Sequence, residues 1–482
     1  MRAALITRDL SLGEYNVSSI LYTAAMATIT TSEIELKAKP SSPANANHGS
    51  SNDNQLSQDE PNHDSNNHPS PDSTNITTAM PDGGYGWVVV FSCSLLTFHF
   101  NGFTGSWGVL QSHLLETSLQ DVPTSTITFV GSLLTAAAVA FGLVIVRITR
   151  LIGARYSAII GVLLLGMGQL FSGFTTSQIG GLFGLSGFMA GLGSAFLYST
   201  GNTLPTQYFS SKLGTANGLV KLGGGIGATI LAIVSETLIQ RVGIAWTFRI
   251  LGFITLSTGL PAAMLLKERN RIRNAPFLEL SMFRNRAYTA IFIAAALGTF
   301  TLFAPPYFLP LVARSIGLTS TTGAGLVAGF NACTAVGRFG SGPVCDRIGP
   351  TNTFLITMLL SAASMLAIWP FSSNLPLLTV FVVLNGIANG SFFVVMPTTV
   401  AKMFGPARAP VAMSQAITGW TVGYLMGPPI AGYLIQATHA DREHSIDPYR
   451  PAIFYAGGLA LASSVFVLIG RLAMDRKMLK RM

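Results

Sequence analysis

From residue 86 onward, the chain is a series of apolar stretches joined by short polar connections. An α-helix rises about 1.5 Å per residue, so roughly 20 apolar residues cross a hydrocarbon layer about 30 Å thick. The stretches are long enough to do so, and the pattern predicts an all-α membrane protein. Its twelve predicted transmembrane helices cover residues 86–114, 124–147, 156–175, 179–206, 213–239, 244–266, 287–313, 322–345, 352–371, 375–401, 409–437 and 451–472.

Residues 1–80 have a different composition. From Ser41 onward they are mostly Ser, Asn, Asp, Pro and His, with almost no large apolar side chains. Such a segment cannot bury enough apolar surface to offset the entropy lost on folding, so it is predicted to be a disordered tail. Asp9 and Glu14 interrupt the weakly apolar beginning of the chain, and no secretory signal peptide is expected.

The composition excludes a soluble globular protein. Hydrophobic residues make up 49% of the 482 residues and charged residues only 10%, whereas soluble domains carry about 25% charged residues. The net charge of +9 does not indicate a nucleic-acid partner. The basic residues lie in short loops between apolar stretches, where they report the orientation of the chain in the lipid bilayer.

The sequence contains no pattern typical of an enzyme. Cys93, Cys333 and Cys345 lack metal-ligand spacing, and no pair of nucleophile and base stands out. We therefore expect neither a metal nor another cofactor. The ATP-binding pattern GxxxxGK(S/T) does not occur either, so no activity driven by ATP is expected.

The charges of the loops predict the orientation. With the N-terminus inside, thirteen Lys and Arg residues fall in the cytoplasmic loops and four in the outer loops. Because basic residues accumulate on the cytoplasmic side, both termini are predicted to be cytoplasmic, in a multi-pass protein of the plasma membrane. The cytoplasmic set is Arg147, Arg150, Arg155, Lys212, Lys267, Arg269, Arg271, Arg273, Arg284, Arg286, Arg347, Lys402 and Arg408, and the outer set is Arg241, Arg314, Arg442 and Arg450.

The two parts of the apolar region repeat each other. The offset that separates Arg150-Leu-Ile-Gly153 from Asp346-Arg-Ile-Gly349 also separates Gly223 from Gly419. Two parallel six-helix halves are the architecture of major facilitator transporters. The predicted organisation is a cytoplasmic tail at 1–80, six-helix halves at 81–266 and 287–472, a basic cytoplasmic linker at 267–286, and a basic cytoplasmic tail at 473–482.

Arg338 is an arginine in the middle of an apolar stretch. Asp346 and Arg347 mark the water boundary, which places Arg338 roughly 12 Å into the hydrocarbon layer. A cation at that depth persists only where it faces a protein interior or a wet cavity. We predict that it binds the anionic group of a substrate, because a guanidinium offers two parallel donors to a carboxylate. A structural ion pair is the alternative.

Lys221 lies at a similar depth on the fifth predicted helix. It follows Lys212 at the helix start, which places it roughly 13 Å from the cytoplasmic surface. With Arg338 on the facing helix it would form a two-cation site for an anion. The alternative is that the flexible stem of Lys221 carries its ammonium group back to the interface.

Few residues are suited to carry a proton. The acidic residues between Asp121 and Asp441 fall at predicted helix ends or in loops, so no carboxylate is expected to be buried in the membrane. His99, roughly 18 Å along the first helix from Trp87, titrates near neutrality and is the candidate proton carrier. The substrate's own acid group is the other candidate, and a hydrogen-bonding role for His99 is the alternative.

A glycine-rich turn precedes the first predicted helix, in the sequence Pro81-Asp-Gly-Gly-Tyr-Gly-Trp87. Its glycines allow a tight turn, and its aromatic residues suit the membrane interface. The turn resembles the signature Asp/Glu-Gly-Gly/Ser-Trp-Gly-Trp of the monocarboxylate transporter family, with Tyr85 in place of a tryptophan. The matched residues are Asp82, Gly83, Gly84, Gly86 and Trp87.

The second motif of that family resembles the region before and within the fifth predicted helix. The resemblance covers residues 81–475 and implies the major facilitator fold, with substrate carried between the halves by rocking. Gly218, Gly223 and Gly227 lie on a glycine-spaced face that lets another helix approach closely, and they are candidates for gating or for static packing. The residues that match the motif are Tyr208, Phe209, Lys212, Ala216, Gly218, Gly223 and Gly227.

Two positions depart from the animal members of that family. A lysine of their first helix corresponds to Gly105, and an aspartate of their eighth helix corresponds to Thr334. Only Arg338 remains of the family's charged trio. The pattern is more similar to fungal members, whose substrates range from carboxylates to vitamins and secondary metabolites.

We therefore expect a secondary transporter that moves a small organic anion resembling a monocarboxylate by alternating access. The alternatives within transport are efflux of an acidic secondary metabolite and import of a riboflavin-like solute. An alternative of another class is a transporter-like nutrient sensor that signals through the cytoplasmic tail. The sequence leaves open whether an accessory membrane protein is a partner.

Overall fold

The computed structural model describes residues 83–209, 213–269, 279–438 and 445–474. Several predictions fall on other residues and lie outside this part of the chain. They concern the tail at 1–80, Asp82 of the glycine-rich turn, Lys212, most of the linker at 267–286, and residues 475–482 of the C-terminal tail.

The described residues form twelve helical spans, as predicted. We number them α1 to α12, and α2 and α7 each consist of two helical segments. Their bounds are Tyr85–Glu116 (α1), Thr124–Ala140 with Gly142–Ile152 (α2), Ala154–Ser172 (α3), Ile179–Gln207 (α4), 213–242 (α5), 244–265 (α6), Arg286–Leu302 with Ala304–Ser315 (α7), Ser320–Ile348 (α8), Pro350–Phe371 (α9), 375–404 (α10), 406–437 (α11) and Arg450–Met474 (α12).

The lengths and hydropathies of these helices fit a multi-pass membrane protein. By length and composition alone, eight runs of helix in the described residues can cross a membrane, or nine when the bent α2 is one span. The run Thr215–Leu265, which contains both α5 and α6, is counted as one of the eight. Large apolar side chains such as Phe91, Ile233 and Phe339 are exposed on the outside of the bundle, where lipid would surround them.

Four of the connections between spans in the described residues are a single glycine long, at Gly153, Gly243, Gly349 and Gly405. The run Leu213–Leu265 is helical except at Gly243, which has a φ of 81°, and the run Leu375–Ala437 is helical except at Gly405, with a φ of 70°. Glycine adopts such positive φ values without steric cost. Consequently α5 joins α6, and α10 joins α11, through one residue.

Polar side chains define where several helices begin. Asn285 accepts hydrogen bonds from the main-chain N–H groups of Ala287 and Tyr288 at the start of α7. Thr319 and Asn374 do the same at the starts of α8 and α10. Each cap satisfies a main-chain donor that has no partner within the helix.

The structure confirms the predicted repeat. Helices α1–α6 form the first half and α7–α12 form the second half. Gly153 before α3 and Gly349 before α9 are equivalent turns, with φ values of 92° and 91°. Gly223 of α5 packs against α1, and Gly419 of α11 packs in the same way against α7. The two halves are therefore built on one plan.

The two halves meet along a seam at which α2 packs on α11, α5 on α8, and α1 on α7. Helix α1 begins and α12 ends at one end of the bundle, which we call the terminal end. The opposite end, the distal end, is closed by contacts across the seam. They are the hydrogen bonds Ser125 Oγ to Gln436 Oε1 (3.4 Å), Gln240 Nε2 to Thr321 Oγ1 (2.9 Å) and Tyr307 OH to Gly131 O (2.9 Å), and the ion pair of Arg314 with Glu116.

Helices α5 and α8 run antiparallel along the seam and diverge toward the terminal end. They contact each other at Ala228 and Asn331, where the asparagine Nδ2 lies 3.3 Å from the alanine carbonyl. About three turns further on, beyond the contact of Arg338 with Lys221, the facing pair is Gly218 and Gly342. Side chains built at either of these glycines would have no neighbour within 4 Å. The seam is therefore closed at the distal end and opens toward the terminal end.

Candidate functional site

A cavity of about 90 Å³ lies on the seam between the halves. Most of its wall is apolar, and Arg338 is the only charged side chain among its lining residues. The aromatic lining residues are Phe100, Tyr198, Phe303, Phe330, Phe393, Trp420 and Tyr424, and the polar ones are Asn101, Thr104, Thr135, Asn331, Thr334 and Asn389.

Arg338 reaches into this cavity from α8. Its Nη1 donates to the main-chain carbonyl of Lys221 at 3.5 Å, and its guanidinium carbon lies 4.9 Å from the centre of the Phe393 ring. Its Nε is buried and has no hydrogen-bond partner. In the described part of the chain no carboxylate forms an ion pair with it. The guanidinium thus has spare donors and an uncompensated charge.

Lys221 faces Arg338 from α5, but its ammonium group points into the first half. The Nζ atom donates to Asn202 Oδ1 at 2.5 Å and lies 5.0 Å from the centre of the Tyr198 ring. Tyr198 itself lines the cavity. The structure therefore brings both predicted cations to one level of the seam, and it holds the lysine behind a cavity wall and away from the terminal interface.

Two asparagines shape the polar part of the cavity. The Nδ2 of Asn331 in α8 donates to the carbonyl oxygens of Gly105 at 3.2 Å and Ala228 at 3.3 Å, across the seam. Asn389 donates to Leu302 O at 2.7 Å within the second half. Gly105, the partner of Asn331 in α1, also lines the cavity.

His99 lies inside the first half and not in the cavity wall. Its Nε2 is 2.7 Å from Thr258 Oγ1, and its Nδ1 is 3.4 Å from Thr255 Oγ1. The side chain is 2% exposed. These contacts fit the hydrogen-bonding role that the sequence left open, and the structure does not bring His99 to Arg338.

The two motifs that resemble the monocarboxylate family contact each other at the terminal end. Gly84 begins α1 with a φ of 59°. A Cβ atom at Gly86 would lie 2.9 Å from the Phe209 ring, and the ring centres of Trp87 and Phe209 are 4.8 Å apart. Tyr208 donates from its hydroxyl to Lys267 O at 2.7 Å. The contacts of Gly86 and Trp87 with Phe209 therefore pack the start of α1 against the loop before α5.

The glycines of α5 face different partners. Gly223 and Gly227 pack closely on Ser94 and Phe98 of α1 within the first half. The glycine of α5 that packs on α8 is Gly225, where a Cβ atom would lie 2.6 Å from that of Ala335. Gly223 and Gly227 thus serve packing within the half, and neither glycine lies on the seam.

Sequence reasoning missed a buried carboxylate. The prediction that none is buried is wrong, because the Glu236 residue is 3% exposed and its Oε2 lies 2.8 Å from His113 Nε2. Glu236 does lie near a helix end, as expected, but the second half covers it there. The sequence also gave no sign that Phe393 and Trp420 face the cavity, since aromatic residues are frequent in all the spans.

The family of the chain follows from comparison with known proteins. The sequence profile of the Major Facilitator Superfamily matches residues 89–336 and 291–479. The aspyridones efflux protein apdF of Emericella nidulans is 28% identical over 362 residues, which cover 74% of this chain and 73% of that protein. The riboflavin transporter MCH5 of Saccharomyces cerevisiae is 26% identical over 428 residues, which cover 83% of this chain and 81% of that protein.

Solved structures share the fold. A bacterial homologue of the human lysosomal transporter Spinster, in an inward-facing and occupied conformation, superposes with a TM-score of 0.64 at 14% identity, over 81% of this chain and 98% of that one. The likeness extends over nearly the whole length of that chain. With a family profile that matches both halves, these findings show that the chain is a membrane transporter and belongs to the Major Facilitator Superfamily.

Proposed function

We propose that this transporter carries an organic anion with a planar, apolar body by alternating access. The observation that supports this most directly is Arg338, whose guanidinium lies in the central cavity with an unpartnered Nε and no described counter-charge. An unpaired cation in a low-dielectric interior is costly. An anionic group of the substrate would supply the missing charge.

The cavity walls suggest the rest of the substrate. Aromatic rings from both halves surround Arg338, and flat apolar groups pack well against such rings. The asparagine side chains offer a small number of polar groups, which is typical of sites that orient a mostly apolar ligand. A conjugated or aromatic carboxylate fits this lining better than a small aliphatic acid does.

The cavity of about 90 Å³ is smaller than pockets for drug-sized ligands, which measure about 300–1,000 Å³. A larger substrate would require aromatic side chains such as Phe393 and Tyr424 to move apart. The divergence of α5 and α8 provides a path to that space from the terminal end.

We propose further that the terminal end faces the cytosol, in the plasma membrane. The excess of basic residues in the loops of that end supports this orientation. The conformation described here is then inward-facing, with the outer path closed by the contacts of the distal end. The glycine-rich turn and Arg338 support assignment to the monocarboxylate branch of the superfamily, of the fungal type.

Efflux is the direction that we favour. The relative apdF is named as an efflux protein, and a cavity open to the cytosol would accept a product made inside the cell. Import of a riboflavin-like solute is the second candidate, supported by the similarity to the riboflavin transporter MCH5. Riboflavin is neutral and planar, so its recognition would depend on the aromatic walls more than on Arg338.

The test compares 2-naphthoate, 2-naphthamide, lactate and riboflavin as probes. We expect 2-naphthoate to raise the Tm of the purified transporter and its neutral amide to have little effect. Arg338→Ala should abolish the shift with 2-naphthoate. Arg249→Ala is the matched control, because Arg249 is another half-buried arginine that packs on aromatic rings, those of Phe174 and Trp246, away from the cavity.

Equal shifts with the acid and its amide, or an unchanged shift in Arg338→Ala, would contradict an anion site at Arg338. A shift with riboflavin alone would favour the second candidate. Comparative metabolomics of cells and medium, with and without the gene, would then identify the natural substrate and its direction.

A further inference from the structure

A second cluster of titratable side chains lies at the distal end, outside the cavity. His113 of α1 stands between two carboxylates. Its Nε2 lies 2.8 Å from Oε2 of Glu236 in α5, and its Nδ1 lies 3.9 Å from Oε2 of Glu116. The side chain of Glu236 is only 4% exposed and that of His113 is 13% exposed.

The second half completes this cluster across the seam. Arg314 of α7 forms an ion pair with Glu116. Ser320 at the start of α8 is a hydrogen-bond partner of Glu236. Gln240 donates to Glu236 Oε1 at 2.7 Å and to Thr321 Oγ1 at 2.9 Å. Glu236 is therefore bonded to groups of both halves, and the closed seam helps to bury it.

The charges of the cluster depend on one proton. With a neutral imidazole, the carboxylates of Glu116 and Glu236 face the single cation Arg314, and the cluster carries one net negative charge. With a protonated imidazole it is neutral. Tyr449 is a further titratable group beside Arg314, while Arg241 on α5 is exposed.

We propose that His113 and Glu236 form a proton-binding site that stabilises the closed distal end. Removing water from a carboxylate is costly unless a cation pairs with it. A proton on His113 supplies that cation, because the imidazolium donates from Nε2 to Glu236 and directs its Nδ1–H toward Glu116. Opening the seam removes Ser320, Thr321 and Arg314 from the cluster and lets water solvate Glu236, so the proton is held less tightly.

The direction of the pH effect follows from this difference. The closed distal end binds more protons than the open one, so lowering the pH shifts the population toward the closed form. The stabilisation is present when His113 is protonated and is lost as the pH rises. For a single proton, the ratio of closed to open molecules changes by at most about tenfold per pH unit.

The site differs from the substrate cavity in place and in consequence. It shares no residue with the lining around Arg338. A proton bound there would regulate the exchange between conformations and need not cross the membrane with the substrate. The acidity of the compartment at the distal end would then set how often that end opens.

The test measures the distal opening directly in the full-length protein. Spin labels at Ser177→Cys and Ser373→Cys, on distal loops of the two halves, report the distance between them by double electron–electron resonance. Cys93, Cys333 and Cys345 are replaced by alanine. We expect the fraction with the short distance to rise as the pH falls from about 8 to about 5.5, a window that spans the ordinary histidine range.

Two conservative variants locate the proton. In Glu236→Gln the buried charge is gone, so the closed form should no longer need a proton and its pH dependence should disappear. His113→Gln should also lose the pH dependence and favour the open form. His99→Gln, which alters a buried histidine outside the cluster, should keep the response of the parent protein.

Either of two results would overturn the proposal. One is a distance distribution of the parent protein that does not change with pH. The other is a pH response that persists in His113→Gln, which would show that a different group takes up the proton. Neither result depends on the identity of the substrate, so failure here is distinguishable from failure of the anion site at Arg338.

Discussion

The guanidinium of Arg338 in α8 reaches the main-chain carbonyl oxygen of Lys221 in α5, with Nη1 and that oxygen 3.5 Å apart. The bond crosses the seam between the halves, just before α5 and α8 diverge toward the terminal end. An anion that attracts the guanidinium would compete with this contact. If Arg338 binds the substrate, as we propose, binding and contact between the halves would involve the same side chain.

Replacement of Arg338 tests its role in transport. Arg338→Lys keeps the charge but loses the paired donors, and we expect kcat/KM to fall by at least about tenfold, equivalent to about 1.4 kcal/mol. Arg338→Ala should abolish transport while surface expression remains. Uptake or efflux assays in membrane vesicles measure both, with Arg249→Ala as the control. Normal transport of an anion by well-expressed Arg338→Ala would leave the arginine with a purely structural role.

Lys221 should act mainly on binding, since its ammonium lies behind Tyr198 and adds positive charge near the site. We expect Lys221→Ala to raise the half-saturating substrate concentration several-fold and to lower the maximal rate less, as for a group that contributes equally in the ground and transition states. Concentration series in vesicles provide the measurement. A lower maximal rate at unchanged half-saturation would instead implicate Lys221 in the conformational step.

The packing of α5 on α1 can be tested with a matched pair of glycines. A Cβ atom at Gly223 would lie 2.5 Å from the carbonyl oxygen of Ser94, whereas one at Gly218 would meet nothing within 4 Å. We expect Gly223→Ala to destabilise the protein by about 1–3 kcal/mol through overpacking and Gly218→Ala to have little effect. Thermal unfolding in detergent distinguishes them, and equal Tm values for the two variants would contradict the close packing.

His99 should not be required for any coupling to protons. Its imidazole is enclosed by the first half and bonded to Thr258, so we expect His99→Gln to retain whatever dependence on a proton gradient the parent protein shows. Transport with and without an uncoupler provides the comparison. Loss of coupling in His99→Gln alone, at unchanged expression, would restore His99 as the proton carrier.

The orientation of the chain is open to a direct test. A reporter fused after Met482 should be accessible only from the cytosol, because the basic loops lie at the terminal end.

Removal of residues 1–80 should leave transport intact if the protein is a carrier. A nutrient sensor should instead lose its signalling output on the same truncation.

Much of the fold could be predicted because its signals are local. The apolar stretches, the short loops and the repeated turns at Gly153 and Gly349 can all be read along the chain. Arg338 stood out for the same reason, since a cation within an apolar stretch is visible without knowledge of its neighbours. The structure places it in a cavity wall.

The rest of the site depends on contacts between distant parts of the chain. Phe393 and Trp420 line the cavity because the faces of α10 and α11 that carry these two residues point toward the first half. Glu236 lies near a helix end, where water would normally reach it, and it is buried because α8 covers it. One sequence does not reveal which face of each helix meets another helix.

The single-residue connections at Gly243 and Gly405 have a mechanical consequence. Because only one residue separates the two helices of each pair, neither helix can shift along its axis without displacing the other. Each pair should therefore move as one unit, α5 at the seam together with α6 on the outside, and α11 together with α10, which also lines the cavity. Displacement of α5 during transport would then be reported by α6 at the lipid-facing surface, where a fluorescent label can be attached without touching the cavity.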